Sequence, residues 1–319
     1  MTETSDIDLV YLWVDGNDPQ WRAKRDATIG KPSNTSSDCK GRFVDNDELK
    51  YSLRSIDRYA PWIRRIFIVT DGQKPAWLNT DNPRVQIVDH TQIMPPECLP
   101  CFNSAVIEHH LHLIPGLAER FIYANDDMLL YRPAMPETFF AADGFPIVRM
   151  KGLNLKDRYI ALKKIVLRRP KGTYRRTVIK SADIVEKAFH VRYNGLPHNN
   201  IDAYLKSTNA HFREFFKSDI EPTLTHHGRQ IGDIQRTIYA FAGLATHRAH
   251  LEYAYKRTSL YFGLHGIHRH GLERLTELLD KYHPTFLCLN DTEWTDESDR
   301  EIIRQFLETQ FPEKSQFEK

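Results

Sequence analysis

At residues 42–56 the chain reads R-F-V-D-N-D-E-L-K-Y-S-L-R-S-I, and at 121–132 it reads F-I-Y-A-N-D-D-M-L-L-Y-R. These two segments bracket the part of the sequence that settles the architecture. Asp45 followed by Glu48 has the form of a capping box, and Leu49, Leu53 and Ile56 recur at helical spacing up to Tyr59, ahead of Pro61. The β-branched run Ile66-Phe67-Ile68-Val69-Thr70 stops at Asp71-Gly72, which predicts a buried strand leading into a turn. Val85 to Val88 reads as a second strand, Ser104 to Ile114 as a second helix, and Phe121 to Ala124 as a third strand. Strands alternating with helices predict a parallel sheet, whose ligands bind beyond the carboxyl ends of its strands. Asn125-Asp126-Asp127 lies at one of those ends, so the chemistry is expected there.

Working outward, Ile7 to Val14 is a strand candidate that runs into Asp15-Gly16-Asn17-Asp18-Pro19. Such a loop is either an ordinary turn or a place where backbone N–H groups meet a phosphate or uracil and Asp meets a hydroxyl. Lys31 to Gly41 reads as a polar surface loop. Lys151 to Lys180 is rich in cations, among them Lys163, Lys164, Arg168, Arg169, Lys171, Arg175 and Arg176. It reads as a solvated face or as a surface for a phosphate-bearing acceptor. Tyr193 to Tyr204 looks like a turn entering a helix. Thr223 to Phe241 enters another, with Ile234, Ile238 and Phe241 on its apolar side. Leu272 to Tyr282 is an amphipathic helix, and Thr285 to Asp291 repeats the strand-then-Asn-Asp pattern. Ser298 to Phe311 is a closing helix with Ile302, Phe306 and Leu307 inward.

The predicted fold class is α/β: a Rossmann-like, mostly parallel sheet flanked by helices, with a helical and basic insertion. One catalytic domain over 1–319 is expected, its core 1–150 and 283–319 and its insertion about 151–282. A net charge of +2 with 27% charged residues argues against nucleic acid as a partner. No apolar run is long enough to span a membrane and the first residues are polar, so a cytoplasmic protein is expected, with peripheral association at the inner membrane face open. Four cysteines, Cys39, Cys98, Cys101 and Cys288, include one C-x-x-C crowded by prolines, which reads as free thiols rather than a zinc or redox pair.

Two strands ending in Asn-Asp, at Asn125-Asp126-Asp127 and Asn290-Asp291, suggest carboxylates that jointly hold Mg²⁺ or Mn²⁺ over substrate phosphates, although Asp also ends strands for turn reasons alone. Glu108 and His112 stand four apart on the predicted second helix, where a zinc site is conceivable and a hydrogen-bonded acid on the cleft face is the other reading. His198 follows Pro197 at an expected helix start, and Arg229 precedes an expected helix, where anions are favoured. No G-x-x-x-x-G-K-[ST] and no G-x-G-x-x-G is present. These residues point to Mg²⁺-assisted chemistry on a phosphate-bearing, nucleotide-sugar substrate.

With those residues in place, the chain closely resembles the Stealth family of sugar-1-phosphate transferases, which includes bacterial capsule polymerases and the animal N-acetylglucosamine-1-phosphotransferase that marks lysosomal enzymes. Four blocks carry the likeness. They are I-D-L-V-Y-L-W-V-D-G-N-D-P at 7–19, the long run from Arg42 through Asp127, L-P-H-N-N-I-D-A-Y at 196–204 continuing to Arg229, and L-C-L-N-D at 287–291 with F-P-E-K-S-Q-F-E at 311–318. The resemblance implies catalytic roles for Glu108, Asp127, His198 and Arg229, and metal binding at Asp127 and Asp291. Substrate contacts are expected at Asp15, Gly16, Asn17, Arg42, Asn46, Asn125 and Asn290. Two departures stand out: L-P-C-F-N-S-A-V-I-E-H-H replaces the family's usual L-P-T-F-S-S-P-A-I-E-S-H, and an extra Asn, Asn199 or Asn200, leaves the alignment of the histidine open by about one residue.

By that resemblance the reaction moves a sugar 1-phosphate, an N-acetylhexosamine 1-phosphate such as that of UDP-GlcNAc, from a UDP-sugar to an acceptor hydroxyl. A phosphodiester forms and UMP leaves, in capsule or cell-surface polysaccharide synthesis. The acceptor is a saccharide or glycan phosphate. The alternatives are a conventional metal-dependent glycosyltransferase that releases UDP, and a catalytically silent sugar- or polyanion-binding protein.

Overall fold

The computed structural model describes residues 6–31, 41, 43–152, 173–193 and 195–319. Cys39, Arg42 and the cations Lys163, Lys164, Arg168, Arg169 and Lys171 lie outside them. Leaving aside single-turn segments, the first half contains β1 (Ile7–Leu12), α1 (Pro19–Ile29), α2 (Glu48–Tyr59), β2 (Ile66–Thr70), β3 (Val85–Asp89), α3 (His90–Ile93), α4 (Ser104–Glu108), β4 (Arg120–Asn125), β5 (Met128–Leu130) and β6 (Ile147–Lys151). The second half contains α5 (Thr173–Phe189), β7 (Asp202–Leu205), α6 (Lys206–Phe215), α7 (Lys217–Leu224), α8 (Thr237–Ala245), β8 (His250–Ala254), β9 (Ser259–Gly263), α9 (Leu272–Tyr282), β10 (Phe286–Asn290) and α10 (Glu297–Gln310).

The main sheet has the order β3-β2-β1-β4-β7, parallel except for β7. The expected α/β architecture is therefore observed. Its strands read as apolar runs because both faces are covered. Leu9 and Tyr11 of β1 face the side where α2 packs Leu49, Leu53 and Ile56, while Val10 faces the other side with Phe67, Val69, Phe121 and Tyr123. A second sheet, β5-β10-β9, is joined to the first through the turn between β4 and β5. A third pairs β6 with β8. Beside them, Val178, Val185, Phe212, Ile238 and Phe241 form a separate apolar cluster with Met150 of β6. Among the described residues no helix is long and apolar enough to cross a membrane.

Several local expectations are corrected. Asp45 and Glu48 form no capping box: Asp47 stands at the N-cap in a left-handed conformation, and the Glu48 carboxylate turns back to Asn46. The second helix stops at Glu108 instead of running to Ile114. There the His110 ring takes the Val106 carbonyl at 2.8 Å, the acceptor its own backbone N–H would use in an α-helix, and that N–H bonds Ile107 instead. Glu108 and His112 therefore share no helical face. His198 precedes a strand, not a helix, because Asp202–Leu205 pairs along the free edge of β4. Arg229 lies in a loop well ahead of α8, which begins only at Thr237. In α10 it is Ile303, rather than Ile302, that is fully buried.

Candidate active site

Strand order reverses between β1 and β4, and the two end level, with Leu12 paired to Asn125. Crevices open at such a point because the loops beyond the two strands diverge. A cavity of about 660 Å³ lies there, lined by Trp13 and Val69 at the strand ends and by Glu48, His90 and Asp126. A second, of about 600 Å³, is lined by Glu108, Arg149, His198, Asp202 and Arg236. Both include Ser104, Asn125, Asp127, Arg229, Asn290 and Asp291, so the two cavities meet along a common wall.

Of the residues expected from the sequence, that wall unites Asn125, Asp127, Arg229, Asn290 and Asp291. The two Asn-Asp ends meet through β5, which pairs antiparallel with β10. The Leu289 N–H donates to the Asp127 carbonyl at 3.0 Å, and the Cys288 thiol lies 3.5 Å from Asp127 Oδ2, to which it donates. Arg229 reaches the wall from its loop, where its Nη2 donates to Ser104 Oγ at 2.6 Å. Asp233 braces that loop: its carboxylate is 2.6 Å from His226 Nδ1 and accepts from Asn103 Nδ2 at 2.7 Å and from the Gln230 N–H at 2.8 Å.

The sheet-end cavity is crowded with acids. Burial, reinforced by Asp127, Glu48 and Asp45, pushes Asp126 well above the usual carboxylate range. Burial also raises Glu48 to about 7, and burial with the neighbouring Asp47 raises Asp45 to about 6. Like charges desolvated together are what a bound cation would relieve, so the oxygen donors around Asp127 fit Mg²⁺ or Mn²⁺ in kind. Asp291 differs. Arg300 holds it at 2.8 Å through Nε and 3.4 Å through Nη2, both groups being buried, so a protein cation already meets both its oxygens. Burial still raises the Asp291 carboxyl, with Arg300 opposing. Among the described residues the group with three converging ligand atoms is His268, Asp296 and Asp299, and it belongs to the N-terminal cap of α10 and lines neither cavity.

In the second cavity a chain of charges runs from His198 to Glu108. His198 Nε2 is 3.1 Å from Asp202 Oδ1, Asp202 Oδ2 is 3.1 Å from Arg236 Nη2, and Arg236 Nη1 is 3.0 Å from Glu108 Oε1. The guanidinium lies 4.1 Å from the centre of the Tyr123 ring, whose hydroxyl donates to Asn125 Oδ1 at 2.7 Å. Burial opposes the charges of Asp202 and Arg236 alike. For Asp202, His198 and Arg236 outweigh it and hold the carboxyl low; for Arg236, Glu108 and its neighbours outweigh it and hold the guanidinium charged.

Other expected contacts sit elsewhere. Asp15, Gly16 and Asn17 are not among the described residues lining either cavity. Their loop is bound to its surroundings: the Gly16 N–H donates to the Phe43 carbonyl at 2.6 Å, Asn17 Nδ2 to the Asp45 carbonyl at 3.1 Å, and Gln73 Oε1 accepts from the Asp15 N–H at 3.0 Å. A Cβ at position 16 would collide with that Phe43 carbonyl, which is why glycine stands there. Asn46 is buried and serves Glu48 through its N–H and Nδ2, both at 2.7 Å. Arg42 lies outside the described residues. Sequence reasoning missed Asp202, Arg236, Glu48 and Arg300 as site residues, and took Asp126 only as part of the Asn125-Asp126-Asp127 run. The one local signal was Asp202 four residues after His198.

The chain matches three family models described as Stealth protein conserved regions: region 1 over residues 5–32, region 2 over 42–148 and region 4 over 276–319. Together they span more than half of it. An exopolysaccharide phosphotransferase of Streptomyces coelicolor is 31% identical over 99% of this chain and 52% of its own length. The capsular polysaccharide phosphotransferase LcbA of Neisseria meningitidis is 34% identical over 72% of this chain and 61% of its own. The chain thus spans from about half to three fifths of these two relatives. Among solved structures, the galactosyltransferase LgtC in complex with donor and acceptor sugar analogues aligns over 97% of this chain and 98% of its own, with 11% identity and a TM-score of 0.47.

Proposed function

The chain belongs to the Stealth family, and from that premise we propose that it transfers a sugar 1-phosphate from a UDP-sugar to an acceptor hydroxyl in capsular or exopolysaccharide synthesis. The observation that carries the reading is the wall common to both cavities, where an anionic donor and a hydroxyl-bearing acceptor, one in each, would meet beside Asp127 and Arg229. The names of the relatives, exopolysaccharide and capsular polysaccharide phosphotransferases, support the same class of substrate.

In this reading the sheet-end cavity takes the UDP-sugar, its sugar an N-acetylhexosamine, and the second cavity takes a saccharide or glycan-phosphate acceptor. The acceptor oxygen bonds to the β-phosphorus and the bond from that phosphorus to the bridging oxygen breaks. UMP leaves with the bridging oxygen, and the acceptor's proton goes to His198. Charge gathers on the phosphoryl oxygens as the two oxygens exchange, so a positioned guanidinium contributes more to the transition state than to the ground state. Arg229 supplies it. Glu108, neutralised by Arg236, orients the bound sugar rather than removing a proton. Asp127, with Asp126 behind it, would hold Mg²⁺ or Mn²⁺, which when bound offsets the negative charge of the donor's phosphates.

The test is to follow which bond breaks. A UDP-sugar labelled at the β-phosphate should pass its label to the acceptor as a phosphodiester in the ³¹P spectrum, with UMP as co-product and loss of the signal in His198→Ala. Release of UDP with a phosphate-free glycoside would mean ordinary glycosyl transfer. No turnover of any UDP-sugar would leave a binding protein.

A further inference from the structure

We propose that Asp202 and Arg236 are positioning residues that tune His198 in opposite directions, Asp202 strengthening its hold on a proton and Arg236, anchored to Glu108, restraining it. The inference rests on the reading of His198 as the group that receives the acceptor's proton.

The argument is one of charge and geometry. With a neutral imidazole, the linked groups comprise two carboxylates, Asp202 and Glu108, and one guanidinium, Arg236. That leaves one negative charge uncompensated in a site where the His198 side chain is 2% exposed. Proton uptake by His198 brings the set to neutrality, so the charge that general-base catalysis places on the ring has a counter-charge already in position. Asp202 also fixes the ring, because its carboxylate is held from the far side by Arg236 and cannot swing away. Arg236 in turn is fixed between Glu108 and Asp202 and stacked on Tyr123. Without it, Asp202 and Glu108 would both be uncompensated, and the His198 ring would bind its proton more tightly.

Other groups facing this set are Tyr204 from β7 and Tyr174 from α5, and Arg149 from β6, which is paired at 3.1 Å with Glu252 of β8. The Phe286 ring of β10 meets the His198 ring edge-on at 5.6 Å. Of these, Arg149 is cationic, and its own partner Glu252 balances it.

The experiment follows the His198 ring by NMR in histidine-labelled full-length protein. Its resonance is assigned by its absence from His198→Gln, and it is titrated from about pH 4 to about pH 9. In Asp202→Asn the midpoint should fall by roughly one pH unit or more, and in Arg236→Gln it should rise by a similar amount. Arg236→Lys, which keeps the charge, should stay close to the wild type. In turnover, the acid limb of the kcat profile should move with each midpoint while the donor KM stays put. Should Arg236→Gln fail to fold, Asp202→Asn and Arg236→Lys still decide the matter. An unmoved midpoint in Asp202→Asn, a shift in Arg236→Lys as large as the one in Asp202→Asn, or shifts of the same sign in Asp202→Asn and Arg236→Gln, would overturn the proposal. The midpoints need no turnover, so an absence of sugar-phosphate transfer would refute the functional reading without touching this test.

Discussion

Asp291 is where two accounts of one residue diverge, and Arg300 provides the means to separate them. Family likeness makes Asp291 a metal ligand. The structure has both its oxygens facing a guanidinium, with side chains 7% and 6% exposed. Arg300→Met would strand a buried carboxylate and remove the donor to the Thr295 carbonyl at 3.1 Å. Breaking a buried pair from one side costs about 3–5 kcal/mol. At roughly 2–4 °C per kcal/mol for a chain of this order of size, that is a fall in Tm of about 10 °C. Asp291→Asn should also destabilise by leaving Arg300 unpaired, and the double variant Arg300→Met with Asp291→Asn should recover much of the loss. pH sharpens the prediction. Asp291 is raised by burial, so removing Arg300 raises it further, and the stranded carboxyl then takes up a proton as pH falls. Arg300→Met should therefore lose less stability near pH 5 than near pH 8, whereas the cost of Asp291→Asn should be nearly flat. The assay is urea unfolding of the four proteins at both pH values. An Arg300→Met protein as stable as wild type, or an Asp291→Asn protein that keeps its stability and loses only its response to Mg²⁺, would refute the structural account and restore Asp291 to the metal.

Three further outcomes are expected. Exhaustive EDTA treatment should abolish activity, and Asp127→Asn should be inactive with unfolding unchanged; an active variant removes Asp127 from the site. Without a cation, stability should decline as pH rises through about 6 to 7. Asp45 and Glu48 are raised to those values in the folded protein, so the stability their protonated forms lend is complete below the ordinary carboxylate range and is lost as pH rises through about 6 to 7. Mg²⁺ should accordingly raise Tm more near pH 8 than near pH 5, and equal increments would argue against these acids as cation partners. Reversing Arg168 and Arg169 to Glu should raise the acceptor KM and weaken its salt dependence while donor hydrolysis is untouched; equal damage to hydrolysis would tie that stretch to the fold or the nucleotide.

The sheet was legible because its strands are apolar on both faces, so Ile66 to Thr70 and Phe121 to Ala124 stood out without any knowledge of their partners. Helix α9 runs over the very residues its periodicity marked, ended by His283 in a left-handed conformation before Pro284. What failed to show were interactions decided by residues distant in sequence. Nothing near Ser104 signals that the His109 ring will be claimed by Tyr239 and Ile234, 130 and 125 residues on. Nothing near Asp202 signals a free sheet edge at β4, and so a short segment with helical flanks became a strand. At the site, Asp127, Arg229, Asn125 and Asn290 were found by motif. The cations that hold its acids, Arg236 and Arg300, escaped notice because an arginine on a helix looks the same whether it meets water or a buried carboxylate.

The common wall has a thermodynamic consequence. Residues that border two cavities cannot respond to one occupant without changing the surroundings of the other, and such coupling is reciprocal. If a bound donor tightens the acceptor tenfold, worth about 1.4 kcal/mol, the acceptor must tighten the donor tenfold as well. Water in the acceptor's place offers no such return. On the proposed reading, a donor alone would then be held weakly and released intact more often than hydrolysed, and one shared wall would guard the activated sugar until an acceptor is present.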